Sequence, residues 1–228
     1  MAVRIGWWAN PLGADESLAL PPRPLDLAIN SPFVRDWVGR TWVLYAPLDL
    51  SCELSLRDGR PDFRFLDDSI DRRPEDVFQF TPVGQYAAPD RPSIQWLTSN
   101  LCVADETVWI ETCAPFLHRS SEAWPGVLIP GRMDIHKWTR PFQWVFEWRD
   151  LTRPLMIRRG DPLMYIRFHT PAMDDEFEMF ELERSWELDQ AIQRCGRIAQ
   201  YKTNALSHQD EAATRRPDRW LTGSERRL

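Results

Sequence analysis

The sequence predicts a mainly β fold, a single antiparallel sandwich or barrel with an extended N-terminal arm and one C-terminal helix. Three observations predict it. Short apolar segments such as "SIQWL", "FQWVFEW" and "LMYIRF" recur at close intervals. Clusters of Asn, Asp, Gly and Pro separate them, which is the spacing of a sandwich and not of βαβ units. A single stretch near the C-terminus keeps a helical period instead.

Along the chain, residues 1–40 form the arm: "NPLGADESLALPPRPLDLAINSP" is proline-rich and aperiodic, with Trp7 or Trp8 available to pin it. Residues 41–183 form the β domain. It begins with "TWVLYAPLDLSCELSL", which reads as a strand pair broken at Pro47, followed by Asp58-Gly59 as a hairpin turn. The acidic segment 67–92 is loop-like, with one short strand at Val77 to Phe80. Strands resume at "SIQWL", "ETVWIETC", "GVLIP", "FQWVFEW", "LMIRR", "LMYIRF" and Phe177 to Leu182. Arg159-Gly160-Asp161-Pro162 reads as the turn of a hairpin, since glycine supplies positive φ and proline cannot continue a ladder. Residues 184–206 are the helix: Leu188, Ile192, Cys195 and Ala199 fall on one face and Ser185 is placed to cap it. The polar tail 207–228 is ordered only where something holds Trp220.

The 228 residues include 12 Trp and 11 Phe, enough to fill one ample core. A net charge of −6 argues against general nucleic-acid binding, which needs a surplus of Lys and Arg. Only Lys137 and Lys202 are lysines, so positive charge is almost entirely the forked, stacking guanidinium. The four cysteines have neither zinc nor redox spacing and read as buried thiols of a reducing compartment. Without an apolar run of signal or spanning length, the expectation is a cytoplasmic protein without membrane contact, or one of the host cytoplasm or virion if phage-encoded.

Chemistry has few footholds. Nucleotide-binding glycine loops, G-x-S-x-G and H-E-x-x-H are all absent. Phe142, Trp144, Phe146 and Trp148 alternate onto one strand face, which reads as a core layer in preference to a stacking platform. The preceding "PGRMDIHKWTRP" is polar: Asp134 and His136 are the candidate acid and base, because an acid two residues from a histidine can orient its imidazole. Arg132 and Arg140 are candidate ligand-binding residues beside them. No metal and no cofactor is assigned, since nothing in the sequence selects further histidine ligands.

"PGRMDIHKWTRP" with "IRRGDPLMYIRF" resembles a group of uncharacterised proteins from tailed phages and bacteria, through Pro130, Gly131, Asp134, Ile135, Trp138, Arg140, Pro141, Ile157, Gly160, Asp161, Leu163, Tyr165 and Phe168. That resemblance implies no activity. "HRSSEAWPGVLIPGRMDI" and the strands after it are similar in order to the dCTP deaminase and dUTPase superfamily. This second likeness implies a β-clip or jelly-roll-like fold and makes Arg119, Ser120 and Ser121 ligand-binding residues for nucleotide phosphates. Pro125 departs from it, because the family's loop continues into a helix. The sequence therefore reads as a non-catalytic β-rich domain of a phage-type assembly or an accessory binding protein, with a homo-oligomer or protein partner expected. A nucleotide-handling enzyme and a metal-dependent oxygenase-like barrel are the alternatives.

Overall fold

The computed structural model describes residues 2–9, 20–27, 31–58, 60–66, 78–81, 91–98, 100–172, 175–201, 213 and 216–228. The strands are β1 (Val3–Ala9), β2 (Arg23–Pro24), β3 (Thr41–Tyr45), β4 (Leu50–Arg57), β5 (Arg60–Phe65), β6 (Phe78–Thr81), β7 (Ser93–Leu97), β8 (Asn100–Ala104), β9 (Trp109–Cys113), β10 (Gly126–Leu128), β11 (Gly131–Asp134), β12 (Gln143–Trp148), β13 (Leu155–Ile157), β14 (Pro162–His169), β15 (Phe177–Glu181) and β16 (Arg226–Arg227). Helix α1 covers Pro32–Gly39 and α2 Trp186–Tyr201, and Arg119–Ala123 is a 3-10 turn.

The fold is mainly β. Its sheets run β16-β15-β1-β8, β10-β12-β7-β6, β11-β9-β14-β3-β2 and β13-β4-β5, and among the described residues none closes into a barrel. Pairing is antiparallel except between β1 and β15. One apolar core draws on all of them, including Ile5, Trp42, Cys52, Phe78, Trp96, Ile110, Trp144, Ile157 and Phe168. The aromatic alternation around β12 is its centre. Phe142, Trp144, Phe146 and Trp148 are all buried, Trp144 lies parallel to Phe146 at 4.9 Å, and the Trp144 indole donates to the Leu163 carbonyl at 3.1 Å. A buried aromatic of this size contributes about 2–3 kcal/mol, and its N–H must find an acceptor because nothing else solvates it.

Two pieces of the predicted connectivity differ. The strands on either side of Pro47 do not pair with each other: β3 pairs with β14, whereas β4 pairs with β13 and β5. Arg159-Gly160-Asp161-Pro162 likewise joins strands of different sheets, so it is a crossing and no hairpin. Both crossings run side by side between the same two sheets. Ala46 N–H donates to the Asp161 carbonyl and Gly160 N–H to the Ala46 carbonyl, each at 2.9 Å, and Asp49 accepts from Arg159 N–H at 2.8 Å. Gly160 takes φ 85°, which a side chain would resist. The hairpin expected at Asp58 is present: Arg57 faces Arg60 across it and Asp58 has φ 52°.

Residues 1–40 are not extended throughout. Val3, Ile5 and Trp7 of β1 enter the main core, Trp8 enters a second cluster, and Pro32–Gly39 is helical with proline at its start. A strand covered on both faces loses the alternation that marks strands in sequence. The second cluster explains the C-terminal segments. Leu188 and Ala191 of α2 pack on Trp8, Leu101 and Val103, and Trp220 and Leu221 close over the same patch. Ser185 Oγ accepts the Leu188 N–H at 3.2 Å, the expected N-cap bond. Residues 202–206 of the expected helix and 207–212 of the tail lie outside the described residues.

Candidate functional site

Asp134 ends β11, where the chain turns sharply towards Trp138. Its carboxylate is buried, and Oδ1 accepts the His136 N–H at 3.0 Å while its own carbonyl accepts from Trp138 N–H at 2.9 Å. That is the geometry of a side chain capping its own turn. His136 meets the C-terminal segment. Arg216 Nη1 lies against His136 Nδ1 and donates to the His136 carbonyl, while Nη2 donates to the Ala104 carbonyl at 3.3 Å. Asp105 completes the clasp, 3.9 Å from Arg216, with its two oxygens accepting from Trp220 and Leu221 N–H at 2.6 and 3.3 Å. Burial and then the Arg216 charge lower the His136 pKa, so the imidazole stays neutral and Nδ1 stays an acceptor. The candidate acid and base thus hold chain to chain.

Arg140 is half-buried elsewhere in the corner, within electrostatic reach of the buried Cys195 thiol on α2. The thiol itself is pushed up to about 11 by burial.

A different surface collects polar and aromatic groups without using them up. On the outer face of the β11-β9-β14 sheet, register places Arg132 opposite Glu111 and Glu111 opposite Arg167. His169 Nε2 is 2.9 Å from Glu111 Oε2. Arg132 lies over the Trp109 ring at 5.4 Å, and Arg167 over Trp37 of α1 at 5.7 Å. Arg167 Nε is buried without a hydrogen-bond partner, a cost that the aromatic contact offsets only in part. Further along, Trp37, Phe116 and Tyr165 touch one another with ring centroids 5.4–5.8 Å apart. The Tyr165 phenol, raised to about 12 by burial, keeps its proton and is hydrogen-bonded to His118 Nδ1 at 2.7 Å. Burial lowers the His118 and His169 pKa values too. Phe116 is 57% exposed, Leu117 next to it in the chain is exposed, and so is Val34 on α1.

The 3-10 turn Arg119–Ala123 borders this surface through contacts with β14. Ser121 Oγ is engaged, donating to the Pro115 and His118 carbonyls. Ser120 Oγ is buried with no partner among the described residues, and Arg119 is exposed. Of the sequence-derived candidates, Asp134 and His136 come together in the corner, Arg132 belongs to the outer face, and Arg119, Ser120 and Ser121 share the turn. The three described histidines each have a different partner, Tyr165, Arg216 or Glu111. Among the described residues, no three His, Cys, Asp or Glu side chains are grouped to hold a metal ion. No described helix is long and apolar enough to cross a membrane.

Sequence reasoning passed over Trp37, Tyr165, Arg167, His169 and Arg216. A signal existed for three of them: Tyr165, Arg167 and His169 alternate in "YIRFH" and share one strand face. It also passed over Glu147 on β12, whose carboxylate is fully buried. Arg91 and Arg149 donate to its Oε1 at 3.3 and 3.2 Å, and Oε2 has no partner. Gly126 makes room there, since a Cβ would stand 2.1 Å from the Glu147 carbonyl oxygen. Comparison with protein-family models gives no match, and comparisons with curated proteins and with solved structures give none either.

Proposed function

We propose that this chain is a non-catalytic β-rich domain that works by assembling with copies of itself, in a phage-type particle or as an accessory component of one. The observation that carries this reading is the exposed Phe116, packed on Trp37 with Arg167 over the same indole, and followed in the chain by the exposed Leu117. An apolar centre with a polar rim is the usual anatomy of a contact surface. The engagement of Asp134 and His136 in the clasp supports the same reading, because a general base needs a lone pair directed at a substrate.

Mass measured in solution tests it. The expected result is a species heavier than the 26.8 kDa chain, unchanged when Asp134 and His136 are replaced by alanine in variants that still fold. A second reading, a nucleotide-handling enzyme, is favoured by one observation: Ser120 Oγ is buried without a partner among the described residues, in a turn that also presents Arg119. It predicts a raised melting temperature with dUTP or dCTP, since a ligand of the folded state alone stabilises that state. A flat response across a nucleotide panel removes it.

A further inference from the structure

The largest exposed side chain stands apart from the apolar run just described. Trp186 opens α2 and is 71% exposed, whereas the other buried-type residues of that helix, Leu188, Ala191 and Cys195, face inward. A tryptophan left in water at a helix start contributes nothing to the fold. Its neighbours are acidic: Glu183 and Glu187 flank it, both exposed, and neither is in an ion pair among the described residues. Asp189 is the exception, held by Arg184 at 3.1 Å.

The Phe116 surface is its chemical opposite. Arg167 lies over Trp37, Arg35 sits on the same helix as Val34 and Trp37, and Arg119 follows Leu117 by two residues; none of the three has an ion-pair partner among the described residues. Of the acids nearest in sequence or register, Asp36 is held by Arg40 at 3.2 Å and Glu111 by His169, while Glu122 shares the turn of Arg119 and offsets one of these charges. One surface thus offers an aromatic knob with two unpaired carboxylates, and the other an aromatic seat with Arg167 stacked on it and Arg35 and Arg119 unpaired on its elements. Arginine suits this use, because its planar fork both stacks on rings and pairs with carboxylates.

From this complementarity we infer that Trp186 of one copy docks on the Phe116–Trp37 surface of the next, with Glu183 and Glu187 meeting Arg35, Arg119 and Arg167. The inference rests on the self-assembly reading above and specifies its contact. Because knob and seat are different surfaces, the contact is heterologous: each copy donates one and accepts one, and the product is a closed ring or an open filament. Buried tryptophan and arginine are the side chains that dominate such contacts, so the knob carries most of the affinity.

The test uses the full chain and two exposed substitutions, Trp186→Ser and Phe116→Ser, each checked by its melting temperature to remain folded; Arg119→Glu replaces Phe116→Ser if the latter does not. Sedimentation is measured across concentration. Each variant alone is expected to associate at least about a hundredfold more weakly than wild type, the scale of losing an interface hot spot. Mixed one to one, the two variants are expected to form a pair and stop there, since one retains the seat and the other the knob. Wild type that assembles while both variants assemble equally well overturns the inference and leaves self-assembly standing. Variants that are both monomeric but do not pair on mixing overturn the heterologous geometry. Wild type that remains monomeric at every concentration overturns the inference together with the reading beneath it.

Discussion

The corner at Asp134 and the outer face at Arg167 contain similar residue types and treat them in opposite ways. In the corner, Asp134, His136, Arg216 and Asp105 direct their polar atoms at backbone groups and at one another. On the outer face, Arg167 Nε lacks a partner, Phe116 stands in water and Arg119 pairs with nothing described. The difference teaches that polar richness in a sequence marks two distinct things: groups recruited to fasten irregular backbone, and groups left available. Only the arrangement of partners separates them.

Replacing Arg216 by alanine should give the largest effect. It strands the Ala104 and His136 carbonyls and loosens the anchorage of Trp220, so about 2–3 kcal/mol of stability should be lost in denaturant titration. The Asp134→Ala change acts on the same corner through one lost cap and should cost about 1–2 kcal/mol. Neither should weaken self-association, and a loss of assembly with stability intact would erase the contrast between the two regions.

A smaller effect comes from pH. The folded protein holds His136 with a lowered pKa, so it binds fewer protons than the unfolded chain near neutrality. The stability contributed by the neutral imidazole is therefore complete above the unfolded value of about 6.5 and is lost as pH falls below it. His118 and His169 shift in the same direction and add to the global loss. The local signature is specific to the clasp: hydrogen-exchange protection at Trp220 and Leu221 should fall between pH 7.5 and 5.5, and His136→Gln should make that protection insensitive to pH. Asp134 and the Ala104 backbone favour the charged imidazole while Arg216 and Lys137 oppose it, and Asp105, Asp134 and Asp218 in turn favour the charge on Arg216.

At the outer face, Arg119→Glu should change stability by less than about 0.5 kcal/mol, as exposed substitutions usually do, and Phe116→Ser should cost about 1 kcal/mol through its ring contacts with Trp37 and Tyr165. Their effect belongs to association. A melting shift comparable to that of Arg216→Ala would place these residues in the fold and not in a contact.

The sequence carried the β class, the aromatic face of β12, the Asp58 turn and the Ser185-capped helix, because each depends on a local period or a turn residue. Trp144 and Phe146 could be placed from alternation alone. Connectivity was less accessible. Pro47 and Gly160 announce bends, yet only long-range pairing reveals that β3 with β14 and β4 with β13 form two ribbons crossing between sheets together. β1 was hidden because apolar residues on both faces erase alternation and its partner β15 is distant in sequence. As for the candidate site, Asp134 meets the His136 backbone N–H and not its imidazole, whose partner Arg216 lies 80 residues away where no spacing points to it. Arg167 and Tyr165 were legible as one strand face, while Trp37, which completes their surface, arrives on a short helix from within the proline-rich segment.

The most direct test of the account is the solution mass of the wild-type chain over a wide concentration range, measured beside Asp134→Ala and Phe116→Ser. The account predicts that wild type and Asp134→Ala both exceed 26.8 kDa and that Phe116→Ser returns to it. A wild-type protein that stays at 26.8 kDa throughout would contradict the claim that this chain works by assembling with itself.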